Sequence, residues 1–140
     1  MRLDLKRRFA LGMSGLTAFA IGLAIALDPH SFYASYGIVL SPQPNLMSEL
    51  RAAATNLAVL GLIILCGAFY QKFTRISARL GVTVFSAFAF GRTISFFLDG
   101  WPSDSVLAAF AIEVLLASLC LWVVAGIRNR RLRPEAVLSA

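Results

Sequence analysis

Four long apolar runs constrain this chain more than anything else in it: about 9–27, 47–70, 78–98 and 105–127. Each is close to the roughly 20 residues a helix needs to cross about 30 Å of hydrocarbon. The runs are continuous and show no alternating segments of about 10 residues, so they read as helices rather than as strands of a membrane barrel. Composition agrees. Only 14% of the 140 residues are charged and 59% are hydrophobic, against about 25% charged in soluble domains. A water-soluble globule and a disordered chain are both excluded, and two cysteines are too few for a disulfide scaffold. The short connections favour neighbours that run antiparallel, up and down. The expected fold is all-α: one membrane domain over 1–140, built as a bundle of four antiparallel transmembrane helices.

Charge placement orients the bundle. Apart from Arg51 and Arg92, the 13 basic residues fall in three places. Arg2, Lys6, Arg7 and Arg8 precede the first run; Lys72, Arg75 and Arg79 lie between the second and third; Arg128, Arg130, Arg131 and Arg133 follow the last. Asp28, Glu49, Asp99, Asp104 and Glu113 lie on the other side or within the spans. Basic loops stay in the cytoplasm, which predicts that both termini and the middle loop are cytoplasmic. The net charge of +6 therefore needs no nucleic-acid partner. The partner it implies is the lipid bilayer, with 128–140 as a short cytoplasmic tail. A rival exists for the first run, because a basic start, an apolar stretch and Ala24-Ile25-Ala26 also spell a cleavable signal. The length of the stretch and its small-residue stripe favour a retained span.

That stripe is Ser14, Ala18, Gly22 and Ala26; Thr83, Ala87, Gly91 and Ser95 repeat the spacing on the third run. Both read as seams inside the bundle or as the face of a homo-oligomer. In the first outer loop, Asp28-Pro29 predicts a capped short helix. It would place Phe32, Tyr33 and Tyr36 in the headgroup layer as an interfacial anchor. Asp99-Gly100 predicts a structural turn, followed by Trp101 as an anchor and Ser103 as a helix cap.

Most chemistry is excluded. His30 has no set of companions to hold a metal, Cys66 and Cys120 read as small buried hydrophobes, and no phosphate loop or nucleophile elbow is present. No cofactor and no catalytic residue is expected.

Ionisable groups inside a span cost about 2.5–3.5 kcal/mol each, so they require a reason. Arg92 sits about 9 Å from the outer end of the third run and Glu113 about 13 Å into the fourth, at 1.5 Å per residue. Arg51 lies near the outer start of the second, with Glu49 and Asn56 around it. The expectation is one inward polar cluster of Arg51, Arg92 and Glu113, with Glu49 and Asn56 nearby. Glu113 then either staples the bundle by neutralising an arginine, or leaves a spare guanidinium for a carboxylate or phosphate headgroup.

Four segments carry a family resemblance: Ser48-Glu49-Leu50-Arg51-Ala52, Phe90-Gly91-Arg92-Thr93-Ile94-Ser95, Leu98-Asp99-Gly100-Trp101-Pro102-Ser103 and Ile112-Glu113. In that order they resemble the bacterial membrane proteins grouped as domain of unknown function 4345, from about residue 12 to 127. The resemblance implies a small four-helix protein of the bacterial inner membrane and lends weight to Glu49, Arg51, Arg92, Asp99, Gly100 and Glu113. It implies no activity.

The favoured function is a non-enzymatic bundle that binds an anionic lipid or amphiphile, or a membrane protein partner, through the outer Arg/Glu cluster. A second reading is a membrane enzyme acting on a lipid or apolar substrate, with Glu113 as acid/base; arginine neighbours, which favour the carboxylate, weaken it. A third is one protomer of a small transporter, against which the runs show no proline-broken pair and few polar residues.

Overall fold

The computed structural model describes the backbone of residues 2–131 and the side chains of residues 5–128. The elements are α1 (Arg2–Leu27), α2 (Pro29–Ala34), α3 (Pro44–Phe69), a 3-10 turn (Gln71–Phe73), α4 (Thr74–Leu98) and α5 (Asp104–Arg131). Four stretches are helical, long and apolar enough to cross a membrane: Leu5–Leu27, Pro44–Phe69, Gln71–Leu98 and Asp104–Arg128. The helices outrun the apolar segments because polar residues at their ends remain helical. Pro44, with its preset φ, starts α3 three residues before the apolar run. The supposed tail is helical as far as Arg131, and residues 132–140 lie outside the described residues.

The short helix α2 follows from local chemistry. Asp28 accepts a hydrogen bond from the Ser31 backbone N–H at 3.1 Å, and Pro29 occupies the first turn. Ser31 hydrogen bonding, through its side chain first and its backbone second, holds the Asp28 carboxyl below its usual pKa, aided by His30. Gly37, at φ +75°, turns the chain out of the helix.

Close backbone contact sets the α1–α3 seam. A Cβ added to Gly15 would lie 2.7 Å from the Leu65 Cα and 2.8 Å from the Gly61 carbonyl, and one on Gly22 would lie 2.6 Å from the Ala54 carbonyl. Only glycine allows this approach, which supplies the dispersion contact that lipid cannot displace. The contacts run in opposite registers along the two helices: Arg8 with Ala68, Gly15 with Gly61, Gly22 with Ala54, Arg51 with Ala26. The first-run stripe is thus largely interior, with Ser14, Ala18 and Gly22 buried and Ala26 half-buried. Gly15, outside that stripe, approaches α3 as closely as Gly22 does.

The other stripe is turned the wrong way for a seam. Thr83, Ala87, Gly91 and Ser95 are all exposed, and a Cβ on Gly91 would meet nothing within 4 Å. Helix α4 instead buries Ser77, Ala78, Gly81, Val84 and Phe85. Gly81 admits the Cys120 sulfur of α5, and Ser77 donates to the Ile63 carbonyl of α3 at 2.8 Å. These two contacts choose the face. The core then consists of Ala10, Leu11, Ile64, Ala68, Ala78, Val84, Cys120 and Val123, with Ala18, Phe85 and Leu116 forming a second cluster beside it. Cys120 is a free thiol that donates to the Ser14 hydroxyl at 3.3 Å, and Cys66 is also free.

Candidate functional site

The turn between α4 and α5 sets the register of the site. Gly100 adopts φ +97°, and Ser95 donates to Asp99 at 2.7 Å just before it. Going away from the turn, Phe96 packs edge-on against Phe110 with ring centroids 5.3 Å apart. One helical turn further, Arg92 comes level with Glu113. The arginine Nε lies 2.9 Å from both carboxylate oxygens, so one N–H serves the whole ion pair. Side-chain exposure is 29% for Arg92 and 13% for Glu113. Among the described residues, the two amino groups of the guanidinium make no hydrogen bond.

This pair forms part of the wall of a cavity of about 300 Å³. Ala18, Leu57 and Phe85 close its inner end; Ile21 and Ile25 of α1 and Ala109 and Ile112 of α5 form its sides. Phe32, Tyr33 and Tyr36 line the end beside α2, with the Phe32 ring 5.5 and 5.4 Å from the two tyrosine rings. These aromatics are half-buried over the cavity. Tyr33, Phe88 and Arg92 also line an open recess on the far side, beside Ala87, Gly91 and Ser95. The same three side chains therefore separate the cavity from the outer face of α4.

Arg51 does not join the pair. It is exposed and donates to the carbonyls of Ala26 and Leu27 at 2.5 and 3.4 Å, closing the end of α1. The reason is its azimuth. Arg51 continues the row Ala54, Ala58 and Gly61 that faces α1, and the partial negative charge at a helix C-terminus attracts a cation. Glu49 and Asn56 are exposed on other faces of α3, whose contribution to the cavity is Leu57. The three-helix cluster expected from depth is a two-residue pair, balanced in charge, with no further cation lining the cavity among the described residues. Asp99 and Gly100 lie in the turn and not in the cavity. Depth along a run was legible; the side of the helix was not, and Phe32, Tyr33 and Phe85 carried no signal separating a cavity lining from an anchor or a core.

Among the described residues no three His, Cys, Asp or Glu side chains are grouped to hold a metal. Residues 7–124 match the family described as Domain of unknown function (DUF4345). The chain belongs to this family. Comparison with curated proteins and with solved structures yields no match. The DUF4345 region takes in the α1–α3 seam, the covering loop, the turn and the whole Arg92–Glu113 cavity, and it ends just inside the last turns of α5.

Proposed function

We propose that this DUF4345 chain is a multi-pass protein of the bacterial inner membrane that binds a single-chain amphiphile. The charge distribution supports a topology in which both terminal segments and the middle loop are cytoplasmic. On that topology the helices alternate direction, α2 lies in the outer interfacial layer and the cavity opens in the outer half of the membrane. The observation that carries the binding reading is Arg92 in the wall of a mostly apolar hollow, its two amino groups without a hydrogen bond among the described residues. Glu113 neutralises the guanidinium and fixes its plane through Nε alone. The amino groups remain for the oxygens of a carboxylate or phosphate, recognised by paired N–H donors rather than by surplus charge. The aliphatic and aromatic walls take the chain.

Size agrees with this occupant. A volume of about 300 Å³ is at the lower end for ligand sites, enough for one chain segment and a small head but not for a two-chain lipid. On this reading a chain enters laterally from the recess when Tyr33, Phe88 and Arg92, which stand between it and the cavity, move aside. The cavity chemistry favours binding over turnover, because Glu113 faces no histidine and no second acid among the lining residues.

A headgroup series tests the proposal. Dodecanoate, dodecyl phosphate and dodecanol, added to protein in mild detergent, are compared by thermal shift. The two anions are expected to stabilise more than the alcohol, and Arg92→Lys, which keeps charge but loses the planar fork, to weaken them about tenfold. Equal stabilisation by dodecanol, or full anion binding in Arg92→Lys, would overturn the reading.

A further inference from the structure

The end of the bundle away from the cavity holds a second concave site of different chemistry. The start of α1, the end of α3, the 3-10 turn and the start of α4 enclose a crevice of about 650 Å³. Four cations line it: Arg7 and Arg8 of α1, Lys72 of the turn and Arg75 of α4. Among the described residues no carboxylate does.

Part of this arrangement is architectural. Arg8 donates from Nε to the Ala68 carbonyl at 2.8 Å, and Thr74 donates to the Gly67 carbonyl at 3.1 Å, so two carbonyls in the last turn of α3 are satisfied. Arg7 is half-buried, and its guanidinium lies over Gly126, where an added Cβ would come within 3.2 Å of it. Topological anchoring does not account for the rest. Arg8, Lys72 and Arg75 are exposed, as Arg79 and Arg128 are; what sets them apart is that they ring one hollow together with half-buried Arg7, whereas Arg79 and Arg128 lie outside it. Holding four like charges around one hollow raises their mutual repulsion, most for half-buried Arg7. An anion seated among them removes that cost.

We propose that this crevice binds a phosphate-bearing anion. Anionic phospholipid headgroups are the abundant source at such a membrane surface, and basic pockets between membrane helices suit them; free phosphate has the same chemistry. The site shares no residue with the Arg92–Glu113 cavity, and it stands or falls separately from the function proposed above.

The test uses full-length protein, delipidated in mild detergent. It is titrated with short-chain phosphatidylglycerol, the matching phosphatidylcholine or inorganic phosphate, and read by native mass spectrometry and thermal unfolding. Phosphatidylglycerol or inorganic phosphate is expected to bind in preference to phosphatidylcholine. Binding by the lipid alone identifies a headgroup, and equal protection by inorganic phosphate identifies the free anion; both support the site. Removing two basic contacts in Arg7→Gln/Arg75→Gln should weaken binding about thirtyfold. Should that double variant fail to fold, exposed Arg75→Gln alone should weaken binding about fivefold. The charge-matched Arg79→Gln/Arg128→Gln, outside the crevice, should cost less than about threefold because of screening. Ala109→Trp, which fills the separate cavity, should leave binding of these probes at the crevice unchanged. Indifference among the three probes, or equal losses in the two double variants, overturns the proposal.

Discussion

Arg92 and Glu113 are joined through a single N–H: Nε stands 2.9 Å from each carboxylate oxygen, while both amino groups of the guanidinium stay outside the pair. Under the function proposed above, one residue serves packing and recognition at once, and because the pair supplies no surplus charge, selectivity would rest on donor geometry and on what the mostly apolar walls accept.

Breaking the pair should be asymmetric. Arg92→Leu strands Glu113, the more enclosed partner at 13% exposure, whereas Glu113→Leu leaves an arginine at 29% exposure that can reach outward. Severing a fully buried pair costs about 3–5 kcal/mol; partial exposure reduces this, and we expect about 2–3 kcal/mol for Arg92→Leu and about 1–2 kcal/mol for Glu113→Leu. The double variant should recover most of the loss. A double-mutant cycle by thermal unfolding in detergent checks it, and strictly additive losses would contradict the pairing.

Arg51 belongs to another part of the protein. Because it closes the end of α1, Arg51→Ala should fray the last turn of α1, for about 0.5–1 kcal/mol of stability, and leave amphiphile binding intact. Hydrogen exchange at Ala26 and Leu27 and a parallel binding titration read the two effects.

Two glycines with the same helical cost should behave oppositely. A Cβ on Gly61 runs into the backbone of Ala18 and Phe19, whereas one on Gly91 meets open space. Gly61→Ala should destabilise by at least about 1–3 kcal/mol through overpacking. Gly91→Ala should be neutral or stabilise by up to about 1 kcal/mol. Unfolding midpoints of the two variants decide it.

How the chain could be read in advance follows from this contrast. The existence of the four long helices was legible because spanning hydrocarbon demands a continuous apolar run; their ends were not, because polar flanking residues stay helical. The cap at Asp28 and the turn at Asp99-Gly100 were legible because each depends on neighbours in sequence. Azimuth was not. Small residues tolerate both a seam and a lipid-facing surface, so Gly22 and Gly91 look alike until Gly81 and Ser77 have chosen the packed face of α4. Arg51 has a depth compatible with the cluster, and only the Ala54–Ala58–Gly61 row directs it to α1.

The cover over the cavity should loosen in acid. The Asp28 pKa is lowered by hydrogen bonding from Ser31. Its contribution to α2 is therefore full above the ordinary aspartate range and is lost as pH falls through the lower folded value. Amide exchange at Ser31 and Phe32 should accelerate over that acid range. Asp28→Ala should show fast exchange at every pH, and an unchanged acid profile in that variant would assign the loosening to another group.

Site-resolved photolabelling tests the central claim most directly. A fatty acid carrying a diazirine at the end of its chain is bound to the purified protein, activated and mapped by peptide mass spectrometry. Labels are expected on the cavity walls around Phe85 and Ile112, with competition by excess dodecanoate and loss in Ala109→Trp, which fills the space beside them. Labels confined to outward faces such as Val59 and Leu115, unchanged by Ala109→Trp, would show that the cavity holds no such ligand.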